Sequence, residues 1–430
     1  MTLPNEVLPF YEGSEGVPAE LFAGRRNLRK AFEIEMLRKS RPTAPVEKRL
    51  VWMVEGGRGA GKTSFGDWIS DQANATIVTD RRVALVRYKF EDDMESIGYG
   101  HELLKTTWKA LRQHLRGSWY RSCLFWMRRA YSFLSTGKYP FIGQLPSIKS
   151  ARMVEATYVR WLAGLLRHSV YGLAGVVVVL DEIGKFPQAV EFSCRLAAEF
   201  QEKHLRDCPV NLGLILLVLP TWNCELPEGL DPGRHLSKPT ELLSPFDFED
   251  VTDLVAQALS KAIPRWTAAP GVSGELLKLS GGQPQVLQAL GHAAAKRALR
   301  KDAKSRQLEI THVQEALAED AAVEAAIVGV LRPNFKMAVP NGFQSENELR
   351  VVDFLTDPDM VNQDESWAGL ERAKWKAKCS VTKELNHAFE TVWPKLEKCG
   401  LLTPVEKGSS TIRFSGTALR SQFRRCYRDW

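Results

Sequence analysis

The chain predicts an α/β architecture: a parallel sheet with a helical insertion, then an all-helical region, then a small winged-helix domain. Three observations point to it. Apolar runs of strand length alternate with helical segments through the first half, the pattern of a parallel sheet with crossover helices. One such run, Leu50-Val51-Trp52-Met53-Val54, leads into Gly56-Gly57-Arg58-Gly59-Ala60-Gly61-Lys62-Thr63 and then into a helical stretch. Another, Val176–Leu180, is unbroken and apolar, as a central strand buried on both faces requires, and it ends in Asp181-Glu182.

The elements follow in order. Residues 1–20 read as an irregular arm rich in Pro, Gly and Glu. Leu21–Leu28 leads into a helix to about Lys39, and Ser40–Lys48, with Pro42 and Pro45, is a linker. Strands are expected at Leu50–Glu55 and Val83–Phe90, with a helix from Thr63 to Ala73 between them. Gly172–Gly175 reads as a turn before the strand Val176–Leu180. A fourth strand, Leu212–Leu219, ends in Pro220-Thr221-Trp222-Asn223, and Pro239–Leu243 is a short fifth. Beyond Pro245 the pattern is helical: Phe248–Ala262, Gly274–Leu279, Gln283–Leu299 and 309–331, with Gly281-Gly282 as a break. Helices at Glu346–Leu355, near Trp367–Lys376 and at Val381–Lys398 then suit a winged helix, with Pro394 expected to kink or restart the last. Cys399-Gly400-Leu401-Leu402 closes that helix, and Thr403–Phe414, with Gly408-Ser409-Ser410 at its tip, reads as the β-hairpin wing. The domains expected are 1–48, an N-terminal arm with its helix; 49–244, the α/β core with an insertion at about 100–155; 245–335, helical; and 340–430, winged helix.

Composition narrows the class. An apolar fraction of 44% is ordinary for globular domains. The N-terminus carries Pro4, Glu6 and Pro9 and lacks a basic stretch followed by an apolar one, and no apolar run is long enough for a membrane helix, so a soluble cytoplasmic protein is expected. Seven scattered cysteines without a C-x-x-C argue against a disulfide framework or a zinc site. The net charge of +7 is modest; its distribution is more informative.

The glycine-rich run matches G-x-x-x-x-G-K-[ST] at every fixed position. Glycines let backbone N–H groups close around phosphate oxygens, and the helix that follows, with Ser64 in its first turn, adds its positive end. Lys62 is expected to reach the β- and γ-phosphates of ATP, and Thr63 to hold Mg²⁺ through its hydroxyl. Carboxylates at the C-terminal edge of a parallel strand face the ligand crevice, so Asp181 is expected in the Mg²⁺ shell and Glu182 on the attacking water. The competing reading of that pair is two carboxylates that end a strand and cap the next helix. Asp92, Asp93 and Glu95 read as a solvated acidic loop, and Cys224 as a structural thiol.

From Leu103 to Val154 there is no acidic residue, while Lys105, Lys109, Arg112, Arg116, Arg121, Arg128, Arg129, Lys138, Lys149 and Arg152 interleave with aromatics such as Trp108, Trp119, Trp126 and Tyr131. Such a surface suits a nucleic-acid backbone with rings to stack on bases. The alternatives are a helical insertion with a solvated basic face, or docking on an acidic partner or membrane surface. The C-terminal region is also basic. Lys374, Lys376, Lys378 and Lys383 surround the candidate recognition helix, Arg413 follows the wing, and Arg420, Arg424, Arg425 and Arg428 line the tail, which favours DNA over a protein partner.

Together these pieces resemble the AAA+ and STAND group of P-loop ATPases, especially its origin-recognition-initiator-like and archaeal-ATPase-like branches, over roughly residues 20–330. Leu21-Phe22-Ala23-Gly24-Arg25 resembles the group's F-x-G-R element beside the adenine, and Ser280-Gly281-Gly282-Gln283-Pro284 its G-G-x-P turn in the helical lid. The resemblance implies a P-loop NTPase parallel sheet followed by an α-helical lid, and ATP with Mg²⁺ as ligands. It implies Gly24, Arg25, Gly282 and Pro284 near the nucleotide, a polar sensor at Thr221 or Asn223, and an arginine finger at Arg206 or, second, Arg195. Gln283 and Gln285 stand where classical lids carry an arginine. Such ATPases work as homo-oligomers or within larger complexes. An ATP-dependent molecular switch or motor that binds DNA, in transposition, replication or defence against foreign DNA, is the function expected. A signalling ATPase, or a regulatory subunit of a larger complex, whose insertion and C-terminal domain bind protein is the alternative.

Overall fold

The computed structural model describes residues 7–11, 17–19, 22–34, 50–74, 82–111, 152–168, 173–201, 211–219, 236, 240–357, 370–379, 382–404, 410–414 and 416–430. Arg206, Thr221, Asn223, residues 112–151 of the basic insertion and the wing tip Gly408-Ser409 lie outside them. The chain divides into two compact units, one of Arg26–Gly56 and Lys62–Leu242, the other of Met1–Arg25, Gly57–Gly61 and Leu243–Trp430.

The first unit is α/β. Its sheet comprises β1 (Leu50–Glu55), β2 (Arg82–Lys89), β3 (Leu173–Asp181), β4 (Asn211–Val218) and the two-residue β5 (Glu241–Leu242), in the order β2-β3-β4-β1-β5 and parallel throughout. Helix α1 (Arg26–Ala31) precedes β1, and α2 (Lys62–Asn74) joins β1 to β2. Helices α3 (Ser96–Leu111) and α4 (Arg152–His168) lie between β2 and β3, and α5 (Pro187–Phe200) between β3 and β4. The period-2 alternation of strands sorts the side chains. Val51, Met53, Ala84, Val86, Tyr88, Val176, Val178, Leu180, Leu212, Leu214 and Leu216 join α3, α4 and α5 in one core. On the other face Trp52 packs with Phe32, which in turn meets Phe65 and Trp68 of α2. Within the turn expected at Gly172–Gly175, residues 173–175 are instead the start of β3, because pairing with β2 carries the strand back to Leu173 across a register shift at Arg82/Val83.

The second unit is mainly helical: α6 (Phe248–Lys261), α7 (Val272–Ser280), α8 (Pro284–Lys301), α9 (Ile310–Glu319), α10 (Ala321–Ala338), α11 (Glu346–Thr356), α12 (Arg372–Cys379), α13 (Lys383–Lys398) and α14 (Thr417–Cys426). Short strands β6 (Thr267–Ala268) and β7 (Gln307–Leu308) pair with each other. A three-stranded sheet has β10 (Thr411–Phe414) between β8 (Leu370–Glu371) and β9 (Leu402–Pro404), which gives the expected hairpin. One continuous apolar core runs from Phe10 and Phe246 through Leu290, Val330 and Phe335 to Trp375, Trp393 and Phe423.

Two expectations are corrected in this unit. The helix over 309–331 is two helices: the Asp320 carboxylate accepts the Ala322 N–H at 2.9 Å and starts α10, while its own N–H ends α9 on the Ala316 carbonyl. Pro394 does not divide α13. Val392, Trp393 and Leu396, all fully buried beside it, hold the helix to its core face, and that burial outweighs one missing hydrogen bond. Closure comes at Gly400, φ +74°, whose N–H donates to the Glu397 carbonyl while the Leu401 N–H reaches Leu396.

Candidate nucleotide site

In the sheet unit the site begins where β1 stops. The Gly56 N–H donates to the Val218 carbonyl of β4 at 3.1 Å, closing the ladder before the chain turns away. Helix α2 restarts the unit at Lys62. The Lys62 ammonium is buried and donates to the Gly56 carbonyl at 2.5 Å. An ammonium held on its own loop's carbonyl is a donor that a phosphate oxygen can take over. Ser64 is buried, and Thr63 is half-buried in the first turn of α2, where backbone N–H groups lack intrahelical acceptors.

Asp181 ends β3 fully buried. Its Oδ1 accepts the Glu182 N–H at 2.9 Å, and its Oδ2 accepts from the Arg87 guanidinium at 2.8 Å. Arg87 belongs to β2, on the face opposite Val86 and Tyr88, and also donates to the Asp67 carboxylate and, at 3.3 Å, to the Thr63 carbonyl. Burial works against the charge on Arg87, but the hydrogen bond and field of Asp181, with Asp67 beside it, raise its pKa above the ordinary arginine value. Sequence reasoning passed over Arg87 and Asp67; the available signal was an arginine set among the apolar residues Val83–Val86 and Tyr88 of β2.

Glu182 sits in the left-handed region, φ 64° and ψ 26°, an uncommon position for a residue with a Cβ. It precedes a short turn, Ile183–Lys185, and makes no side-chain capping bond to it. Helix α5 starts after Phe186. The helix-capping reading of the Asp181-Glu182 pair is therefore not the arrangement found. Arg195, the second candidate finger, pairs with Glu191 one turn earlier on α5. The acidic loop is structural in part, since the Tyr99 hydroxyl donates to the Asp92 carbonyl at 3.2 Å and accepts the Met94 N–H at 3.0 Å.

In the second unit the glycine-rich tip Gly57–Gly61 is gripped by side chains. Gly59 and Gly61 have φ of +76° and +90°. A Cβ on Gly59 would lie 2.6 Å from Val330, whereas one on Gly61 would meet open space. Asn334 of α10, buried, accepts the Arg58 N–H on Oδ1 at 3.0 Å and donates from Nδ2 to the Arg58 carbonyl at 3.4 Å. Arg25 donates to the Ala60 carbonyl at 3.2 Å, lies over the Phe246 ring at 4.7 Å, and donates its own N–H to Asp250 Oδ1 at 2.7 Å. Gly24 and Arg25 both have positive φ, and a Cβ on Gly24 would press on Asp250 at 3.1 Å. Burial pulls Arg25 down to about 10 against the fields of Asp250 and Asp247. Gly282, φ +74°, offers its carbonyl to the Phe246 N–H at 2.8 Å, and Pro284 opens α8 at its first turn. Gln285 lies near Gly59, with Oε1 3.1 Å from where a Cβ would stand. Asn334, 276 residues from Arg58 in sequence, could not be found by pattern.

The basic surfaces divide differently from expectation. On α3, Lys105 pairs with Glu102, Lys109 is exposed, and Trp108 packs against the sheet core. Lys374, Lys378 and Lys383 are exposed on α12 and at the start of α13, while Lys376 pairs with Glu390. Three of the four tail arginines make contacts within the chain. Arg420 is buried, donates to the Asp357 carbonyl at 2.5 Å and lies over Phe414; Arg424 pairs with Asp357, and Arg428 with Asp353. Arg425 is exposed.

No family model matches the chain, and no curated protein matches it. Solved structures are similar to it over nearly the whole length. The Aeropyrum pernix ORC2 protein (ADPNP-ADP complexes) is 13% identical, with 94% of each chain covered and a TM-score of 0.47. The Walker-type ATPase paby2304 of Pyrococcus abyssi is 15% identical, with 91% of this chain and 95% of that chain covered and a TM-score of 0.44. The Aeropyrum pernix ORC1 protein in complex with DNA is 15% identical, with 99% and 96% covered and a TM-score of 0.40. These are likenesses of fold alone. Among the described residues no helix is long and apolar enough to cross a membrane.

Proposed function

We propose that the chain is an ATP-binding and ATP-hydrolysing P-loop enzyme of the AAA+/STAND kind that works as a nucleotide-driven switch on DNA. One observation carries the enzymatic part. In the sheet unit a single guanidinium, Arg87, bonds both the Thr63 carbonyl and the Asp181 carboxylate, so the first turn of the phosphate-loop helix and the strand-end carboxylate share one small site. The donors there are a hydroxyl and a carboxylate, hard oxygens of the kind Mg²⁺ prefers alongside phosphate oxygens. Thr63 and Asp181 would hold the ion, which when bound supplies charge neutralisation on the phosphates. Lys62 exchanges the Gly56 carbonyl for a phosphate oxygen. Glu182 orients the attacking water, and its lack of a capping bond leaves the carboxylate to that task. Gly61, whose side is open, leaves its N–H for a phosphate oxygen, and Gly24, Arg25, Gly282 and Pro284 are the residues that the resemblance assigns to the adenine.

The reading is tested by Glu182→Gln. Nucleotide affinity stays at the wild-type level and turnover falls by about 10²–10⁴-fold, the range of a lost general base. Lost affinity together with lost turnover would make Glu182 a structural residue.

The DNA part is supported by exposed Lys374, Lys378, Lys383 and Arg425 in the winged-helix region and by the single sign of charge over Leu103–Val154. A second reading, a signalling ATPase whose C-terminal region binds protein, is favoured by the internal use of Arg420, Arg424 and Arg428. Under either reading the enzyme works as a homo-oligomer or within a larger complex, with Arg206 entering a neighbour's site as the arginine finger.

A further inference from the structure

The roles given to Lys62, Thr63, Asp181 and Glu182 leave unexplained why an arginine stands on the inner face of β2. Burying a guanidinium is costly unless its donors are matched, and here they are matched on three segments: the Asp181 carboxylate, the Asp67 carboxylate and the Thr63 carbonyl. The helix makes room for it. A Cβ on Gly66 of α2 would lie 3.1 Å from the Arg87 Cζ, so the glycine leaves the guanidinium space to cross the helix.

We propose that Arg87 is a positioning residue that fixes the Asp181 carboxylate for a divalent cation; the inference rests on the nucleotide-site reading above. A carboxylate oxygen can accept two hydrogen bonds. Arg87 fills one position on Oδ2 and the Glu182 N–H one on Oδ1, which sets the plane of the carboxylate and leaves a lone pair on each oxygen for the ion or its water. A guanidinium does this where an ammonium cannot, because its planar fork reaches Asp67 and Asp181 together. The positive charge of Arg87 would repel a cation if it stood alone. Two carboxylates around one guanidinium leave the cluster negative, so orientation is gained without losing attraction. Groups that support metal ligands in this way contribute about 10–100-fold to metal affinity.

The test uses the full chain and a fluorescent ATP analogue, titrated without divalent metal in EDTA and then at increasing Mg²⁺. In Arg87→Gln the affinity in EDTA stays within about threefold of wild type, while the Mg²⁺ concentration giving half the metal-dependent gain rises about 10–100-fold. Arg87→Lys, which keeps the charge without the fork, gives a smaller rise in the same direction. Circular dichroism establishes that each variant is folded. If Arg87→Gln does not fold, Arg87→Lys and Asp67→Asn carry the test, and each raises the Mg²⁺ midpoint several-fold. Folded variants with a wild-type Mg²⁺ midpoint overturn the proposal, as does an equal loss of affinity with and without Mg²⁺, the mark of a merely structural role. A wild-type chain that does not bind the analogue overturns the nucleotide-site reading itself, and this inference with it.

Discussion

Lys62 is the side chain on which the nucleotide reading turns. Its ammonium rests on the Gly56 carbonyl, a neutral acceptor, and a bond to an anionic phosphate oxygen, with both partners charged, is stronger. Lys62→Ala is expected to weaken ATP binding by at least about 10–100-fold, from roughly 1.5–3 kcal/mol for a hydrogen bond to a charged group, as measured by calorimetric titration. Glu155 offers an independent check on the packing of α4 against α5. It is fully buried, and among the described residues neither carboxylate oxygen has a hydrogen-bond partner. Burial pushes its carboxyl up to about 7. The folded state therefore keeps a proton that the unfolded chain gives up near 4.5, and the resulting stability is lost as pH rises through about 7. Glu155→Gln should raise stability by roughly 1–3 kcal/mol at pH 8 and by little near pH 5, read from urea unfolding at the two pH values. At this scale the places of Lys62 and Thr63 at a helix start and of Asp181 and Glu182 at a strand end were legible, because fixed spacing and an apolar run locate them. Arg87 and Asn334 were not, because their partners lie 94 and 276 residues away and only the folded chain brings them together.

Among the elements, those with strong periodicity and clear ends were legible to within a few residues, and the exceptions have physical causes. Two-residue strands such as β6 and β7 have no period to read. The break between α9 and α10 depends on one aspartate turning its carboxylate onto the next helix, which competes with an otherwise helical pattern. Pro394 was expected to kink or restart α13; the helix does not restart there, because Trp393 and Leu396 are buried beside it. Among the described glycines, Gly282 in the Gly281-Gly282 turn has the least room for a side chain. A Cβ on Gly282 would stand 2.2 Å from the Phe246 carbonyl oxygen, in addition to the strain of its positive φ. Gly282→Ala should therefore destabilise the helical unit by about 2–4 kcal/mol, the upper range for overpacking combined with φ strain, visible as a lower denaturant midpoint. A midpoint within experimental error of wild type would show that the turn relaxes freely.

For the whole molecule, the fold class was legible because alternating strands and helices leave few topologies open. The division into units was not, since Gly57–Gly61 join residues beyond Leu243 through side chains such as Asn334 that no local pattern announces. Charge had to be read from the fold as well. Of the tail arginines only Arg425 stands exposed without a described ion pair, so a DNA surface in this region rests mainly on Lys374, Lys378 and Lys383. Replacing these three lysines with glutamate should weaken duplex retention and flatten its salt dependence by about one unit per lost phosphate contact, with ATP affinity unchanged, measured by fluorescence anisotropy. The most direct measurement is ATP turnover by the purified full chain with and without double-stranded DNA, at low and moderate salt, with Lys62→Ala as control. The expected result is turnover that disappears in Lys62→Ala and a DNA stimulation that fades as salt rises. Turnover that persists in Lys62→Ala would contradict the nucleotide site, and turnover indifferent to DNA at every salt concentration would contradict the DNA switch.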